Sequence, residues 1–596
     1  MNEREREREC PRTKLAHSLP TSQCQALAPA RTMFGKRERA WEENALPAAR
    51  RFRANVADLF LSNDVSANRA QSLLADGQAS GAREVQDLAA AGQGGRLGRN
   101  LCRDLKRKLL KGSAWPKPYV AQVPTWNPKR EVKELREVSL LLPHEIIGVM
   151  TEDDSTRRVL LRQELGSHVR DHLSSACGEM GADPGRAIGL GLWGDGVPYN
   201  YDRSASLDVF ALSFPGFEDH RLRTCRIPLV AMDHKHVIKG ETMDALMEVL
   251  AWSFTFLALG RHPYVRHDNA PWDPSDGSRS RKAGSPIAVF GFLVECRGDW
   301  KQLKDVFRFP QFNENAGICW LCTCTPQTWR LVDENAPWRH DRLDHEAFLA
   351  RLRAQGLQPS PLFTSPGLTT QCFRPDWLHV VDLGVASDFL GNLLLLVCSK
   401  LEGNSHKERV GQLWQHIQSW YAEFQVENRL QNLVPSMLRR SGGVPPKLRA
   451  KAAQARALVP FAVVAADRFL QPEAGCVDAM AEGMAIELNG CYSALSVKDF
   501  NHQKLAYHCR RFCILAVKME AQHNGVLWRC KPKLHLFQEL CEFHFDCPSL
   551  YWTYRDEDFG GSMAQLARRR GGPTRPGVAS KAVLDRFCAK HKLPRF

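Results

Sequence analysis

In the middle of the chain the apolar residues gather into short dense runs, each closed by turn-forming residues. AIGLGLWGDG from Ala187, SLDVFALSFPG from Ser206, CRIPLVAMDHK from Cys225 and PIAVFGFLVEC from Pro286 each read as a strand. Between the third and fourth runs, ETMDALMEVLAWSFTFLALG from Glu241 carries its apolar positions at helical spacing. The expected order is therefore β-β-β-α-β. One acid, Asp195, closes the first run and another, Asp299, follows the fourth, where a carboxylate can sit at a sheet end and face a cleft.

That order is the order of a ribonuclease-H-like α/β core, in which an antiparallel meander is followed by a helix and a strand parallel to the first. The first and fourth strands are neighbours in such a sheet, so Asp195 and Asp299 would meet despite their separation along the chain. Other patterns flank this core. Val56, Leu59, Phe60, Leu73, Leu74, Val85 and Leu88 recur at helical spacing and lead into the basic run NLCRDLKRKLLKG, which predicts a small helical unit with one positive face. WPKPYVAQVPTWNPK reads as a linker, and a helix through about Cys177 follows it. Beyond DWLHVVDLGVASDFLGNLLLLVCSKL, helical periodicity dominates to about Arg529.

The chain thus divides into a disordered arm (1–50), a basic helical unit (51–115), a linker with a helical lead-in (116–180) and a first core part holding a C-x-x-C pair (181–400). A helical insertion (401–530), a closing core segment (531–575) and a basic tail (576–596) complete it. A chain of 596 residues is too long for one ordinary core, and its 43% hydrophobic content is enough for real ones.

Charge narrows the partners. Lys and Arg outnumber Asp and Glu by 81 to 66, a formal charge of +15, which favours a polyanion, nucleic acid first. The 19 cysteines are irregularly spread, and MNERERERECPR is charged where a secretory leader needs an apolar core, so reduced thiols in a soluble intracellular protein are expected. The longest apolar stretch, near Phe389–Val397, is too short to span a bilayer.

The candidate chemistry rests on carboxylates and thiols. Two or three acids can hold a pair of Mg²⁺ ions that activate a water or 3′-hydroxyl and stabilise the leaving oxygen of a phosphodiester. Asp195, Asp299 and Glu557, the last in YRDEDFGGSMAQLARRR, are the candidates. Cys319 and Cys322 have the spacing of a structural Zn²⁺ site, which Asp376 and His379 in DWLH would complete from a distance, His379 being the better zinc ligand and Asp376 an alternative Mg²⁺ ligand. Cys541, His544 and Cys547 would not share one helical face, so plain packing is expected there.

These segments, in their shared order, resemble the blocks of the CACTA (En/Spm-type) DNA transposases. GDGVPYNYDRSASLDVFALSFPG resembles the first DG-containing block, and VFGFLVECRGDWKQL with AGICWLCTC resembles the second-Asp block and its C-x-x-C. DWLHVVDLGVASDFLGNLL is similar to the D-x-x-H segment, and KPKLHLFQELCEFH with YRDEDFGG to the closing His-containing helix and the segment bearing the last Glu. The likeness runs from about Ala187 to Arg570.

The resemblance implies a cut-and-paste DDE transposase that is nuclear, Mg²⁺-dependent and supported by zinc, with transposon DNA ends as substrate, no membrane partner and room for a homo-oligomer. By position it implies Asp195, Asp299 and Glu557 as the catalytic acids, with Asp376 and His379 as the D-x-x-H pair, Asp376 being a further catalytic candidate. The pattern departs from the family where Asp556 replaces an aromatic and Asp558 an Arg around Glu557, and where WKQL follows Asp299 in place of Pro-Ala. Those departures set a second expectation beside the first: a catalytically inactive, domesticated transposase that binds nucleic acid.

Overall fold

In the computed structural model the described residues are 48–61, 64–92, 100–111, 114–200, 202–217, 225–314, 317–473, 476–523, 525–568 and 576–594. The arm expected over 1–50 lies outside them, except for its last three residues, which open the helix Ala48–Leu61. That helix and those at Ala67–Ala79, Gln86–Ala89 and Leu101–Leu110 bury Val56, Phe60, Leu74, Val85, Leu88 and Leu105 in a small core of their own.

The segment read as a linker is a β-hairpin. Strands β1 (Tyr119–Asn127) and β2 (Val132–Leu140) pair antiparallel, Tyr119 opposite Leu140 and Asn127 opposite Val132. Tyr119, Ala121 and Val123 alternate inward and are fully buried, which is the period-two signal that the flanking prolines and tryptophans obscure. Pro124 is tolerated because this is a two-stranded ribbon with free edges.

The central sheet holds β3 (Ala187–Pro198), β4 (Ser206–Ser213), β5 (Arg226–Asp233) and β6 (Phe290–Gly298) in the order β5-β4-β3-β6. The first three form an antiparallel meander and β6 runs parallel to β3, Gly194 opposite Gly298. The parallel pairing requires a crossover, supplied by helix α1 (Glu241–Ala258), whose Leu246, Met247, Leu250, Phe254 and Leu257 are buried. Side chains alternate across β6: Phe292 and Val294 join a cluster with the helix Ser167–Met180, while Leu293 enters the main core. The fold is mixed α/β, with a small mixed sheet inside a mostly helical chain.

Asp299 N-caps helix α2 (Trp300–Phe307), its carboxylate accepting from Gln302 N at 2.6 Å. Later, a π-helical turn over Leu378–Val385 runs into α3 (Ala386–Lys400). This 23-residue stretch is apolar and long enough to cross a membrane, but 78% of its most apolar window is buried inside the protein. Among the described residues six helices and their connections follow between His406 and Ala521, and α4 (Lys533–Glu542), α5 (Tyr554–Ala567) and α6 (Pro576–Lys590) close the described chain. The segment expected as a basic tail is thus largely α6, which packs on β2, β5 and α5. Val583, Leu584, Phe587 and Cys588 recur at helical spacing and are buried, and that stripe outweighs the surrounding charge.

Candidate active site and metal centre

The parallel pairing of β3 with β6 sets two acids side by side. Asp195 lies on β3 immediately after Gly194, and Asp299 immediately after Gly298, the residue paired with Gly194. A side chain at Gly298 would come within 2.9 Å of the Gly194 carbonyl, so glycine here permits the strands to close just before the acids. Asp195 Oδ1 accepts from Gly196 N at 2.7 Å. Burial raises the Asp195 carboxyl above its ordinary range, and the Asp299 charge raises it further.

Glu557 arrives from α5, which lies on β3 with Gly560 closely packed against Trp193 and Val197. Three consecutive acids occupy its first turns, and the roughly 100° step of the helix sends each to a different environment. Asp556 is fully buried and ion-paired with Arg226 and with Arg297, whose Nε is 3.0 Å from Oδ2. Asp558 is exposed. Glu557 faces the sheet end: burial pushes its carboxyl up to about 7, with Asp195 adding to the rise and His379 opposing it. Its Oε1 is buried with no hydrogen-bond partner, 3.6 Å from His379 Nε2.

Asp376 and His379 come from the start of the π-helical turn. Asp376 Oδ1 accepts from Thr553 N at 2.9 Å, and Oδ2 accepts from Thr553 Oγ1 at 2.8 Å and from His379 N at 3.0 Å, with His379 Nδ1 at 2.7 Å. Sequence placed Asp376 among the catalytic acids; here both its oxygens hold Thr553, the residue before α5, and His379. Burial opposes a charge on His379, yet its bond to Asp376 and the charges of Asp376, Glu557 and Asp299 raise it to about 9. The imidazolium therefore joins the buried clamp to the acid cluster. A further acid that sequence did not single out, Asp208 on β4, sits opposite Gly196 and pairs with His234 Nδ1 at 2.9 Å.

A separate buried cluster surrounds the C-x-x-C pair. The donor atoms of Cys319, Cys322, His535 and Glu539 all lie within 4.8 Å of one another. His535 and Glu539 are one turn apart on α4 and so share a face. His379, expected as the third zinc ligand, stands instead at the acid cluster, and the histidine beside the two thiols is His535; the His-x-x-x-Glu spacing in KLHLFQEL was the signal available for it.

The chemistry of the set suits Zn²⁺. Cys322 Sγ is 3.3 Å from His535 Nε2, and Glu539 Oε1 is 3.5 Å from the same nitrogen. Burial pushes both thiols up, a penalty that a divalent cation would offset by binding thiolate. Arg342 donates to both Glu539 oxygens at 2.7 Å, so two thiolates, one carboxylate, one guanidinium and one Zn²⁺ would balance in charge. Cys541, His544 and Cys547 are individually buried, Cys547 Sγ donating to the Leu495 carbonyl at 3.5 Å. The cysteines of the described residues form no disulfide. Compared with protein-family models and with curated proteins, the chain matches neither.

Proposed function

We propose that this chain is a DDE-type DNA transposase, nuclear in location, whose ribonuclease-H-like core performs Mg²⁺-dependent phosphodiester hydrolysis and strand transfer at transposon ends. One observation carries the reading: β3 and β6 set Asp195 beside Asp299, and α5, packed on β3, brings Glu557 to bear on Asp195, Asp299 raising the Asp195 carboxyl and Asp195 that of Glu557. Such repulsion is relieved by divalent cations, and the buried Glu557 Oε1, which accepts no hydrogen bond, is a candidate ligand for one. Asp195, Asp299 and Glu557 would hold Mg²⁺, which supplies a lowered pKa for the attacking water or hydroxyl and charge neutralisation at the phosphate. The meander β5-β4-β3 with β6 parallel to β3 supports the core assignment. In the same reading the helical stretch 401–530 is an insertion in that core, and the Cys319–Cys322–His535–Glu539 cluster is a structural zinc centre.

A second reading, a nucleic-acid-binding protein that no longer cuts, is favoured by the closeness of His379 to Glu557, since the imidazolium competes with a metal for that carboxylate. Nicking of a plasmid carrying the repeats that flank the coding sequence separates the two. The enzyme reading expects Mg²⁺-dependent nicks, lost by on the order of 10⁴-fold in Asp195→Asn and in Glu557→Gln with DNA binding retained. Salt-sensitive binding without any cleavage selects the second reading, and cleavage that survives both substitutions removes the site assignment.

A further inference from the structure

Beside the acid cluster, three lysines from two segments converge on the π-helical turn and α3. Lys533 Nζ donates to the His379 carbonyl at 2.6 Å, and Lys447 Nζ donates to the Leu383 carbonyl at 2.7 Å. Lys531 Nζ donates to Asp388 Oδ1 at 2.6 Å, and Lys447 Nζ lies 3.9 Å from the same oxygen. Among the described residues Asp388 is thus the carboxylate shared by Lys447 and Lys531, while Lys533 rests on a neutral carbonyl.

The arrangement is built rather than incidental. Leu448 N donates to the Ser387 carbonyl and Trp528 N to Asn392 Oδ1, both at 2.8 Å, which ties each lysine-bearing segment to α3. Glycine allows the approach: a side chain at Gly384 would meet Lys533 Cδ at 2.8 Å, and one at Gly391 would meet the Lys447 backbone at 2.4 Å. Lys447 and Lys531 keep 38% of their side chains exposed, so the shelf meets solvent. Lys533 holds the carbonyl of His379, whose ring lies 3.6 Å from Glu557, so the cationic shelf adjoins the acid cluster. The adjoining cavity between α3 and the Trp528 segment, lined by Phe389, Phe512 and Trp528, holds about 40 Å³. That is room for a water and far too little for a base, which leaves the ligand outside, on the lysines.

We propose that Lys447, Lys531 and Lys533 form a phosphate-binding shelf that takes the backbone of the DNA strand passing from the Asp195–Asp299–Glu557 cluster. The inference rests on the DNA-cutting or DNA-binding reading above and adds where the strand runs. Lysines beside an acid cluster fit a phosphodiester because the strand needs cations on either side of the bond held by the metals. Burial lowers the Lys447 ammonium below the ordinary lysine range, Asp388 opposing that fall and the neighbouring Lys531 adding to it.

Binding of the full-length protein to a short fluorescein-labelled duplex of arbitrary sequence, measured by anisotropy across a salt series, tests this. Lys531→Gln, and separately Lys447→Gln, should lower the slope of log affinity against log salt by about 1 and weaken binding roughly tenfold near 0.1 M salt. Lys531→Arg should retain wild-type binding. Asp388→Asn, which removes the competing anion, should bind DNA more tightly and with a steeper slope. A purely structural ion pair predicts instead that Lys531→Gln and Asp388→Asn both lose melting temperature and that neither gains affinity; that pattern overturns the shelf. Unchanged slopes in all the neutral variants, with a wild type that binds, overturn the shelf and leave the functional reading standing. A wild type with no salt-dependent affinity removes both.

Discussion

Asp376 holds Thr553 through both carboxylate oxygens, accepting from its backbone N at 2.9 Å and its Oγ1 at 2.8 Å, although the two residues are 177 positions apart. Thr553 immediately precedes α5, so this contact fixes where that helix begins and, one turn on, where Glu557 points. Because Oδ2 also accepts from His379, a single buried carboxylate sets both the helix and the imidazolium beside Glu557.

Removing that carboxylate should therefore disturb stability and site together. Asp376→Ala leaves buried donors on Thr553 and His379 without acceptors and is expected to cost about 3–5 kcal/mol. Thr553→Val keeps the His379 contact and loses one hydroxyl, at about 1–2 kcal/mol. Denaturant melts of the two variants check the ranking. Equal losses would mean that the His379 bonds contribute little.

Neighbouring acids on α5 should respond in opposite ways. Asp556→Asn breaks a fully buried pairing with Arg226 and Arg297 and should destabilise the fold by about 3–5 kcal/mol. Glu557→Gln removes a carboxylate that Asp195 already repels, so thermal stability without metal should be unchanged or higher. The wild type should gain melting temperature on adding Mg²⁺, and Glu557→Gln should lose most of that gain. Differential scanning fluorimetry on the three proteins, with and without Mg²⁺, reads all of these. A destabilised Glu557→Gln protein with no loss of Mg²⁺ response would place the ion elsewhere.

The contrast between Asp556 and Glu557 also marks how far the sequence could be read. Dense apolar runs revealed the four sheet strands and the crossover helix, because burial on both faces leaves a continuous signal. Asp195 and Asp299 were legible for the same reason, since each ends such a run. Which of three consecutive acids faces the sheet end depends on the rotation of α5 against Trp193, and no local pattern records that. The β1–β2 hairpin was hidden by Pro124 and the flanking tryptophans, which mimic a linker, and α6 by its surrounding charge. His535 was missed as a partner for the C-x-x-C because the pairing is made entirely by tertiary packing, 213 residues from Cys322.

If the Cys319–Cys322–His535–Glu539 cluster holds Zn²⁺, the protein purified without chelator should carry about one zinc per chain by elemental analysis. His535→Ala should lower that content and the melting temperature together, because the site is fully buried and metal binding contributes directly to folding. His379→Ala should leave the zinc content unchanged, since its imidazole belongs to the acid cluster. Zinc lost from His379→Ala and kept in His535→Ala would reverse the assignment of the two histidines.

Asp382 offers a test of the packing behind α5 by pH alone. Its side chain is fully buried and accepts hydroxyl hydrogen bonds from Tyr492 and, at 2.7 Å, from Tyr554, the first residue of α5. Burial pushes the carboxyl up from 3.8 to about 7, with the charge of Asp376 adding to the rise while Arg456 and the two tyrosines restrain it. A carboxyl raised on folding binds more protons in the folded than in the unfolded chain at every pH between those two values. Stability from this group is therefore highest near pH 4, falls as pH rises to about 7 and levels off beyond, the whole effect being on the order of 4 kcal/mol. Asp382→Asn cannot ionise and should lack that fall. Subtracting its melting temperatures from those of the wild type across pH 4–8 cancels every other titration, and the difference should become steadily more negative with pH. A flat difference would mean that Asp382 is already ionised throughout, held by Arg456 and the tyrosines against its burial.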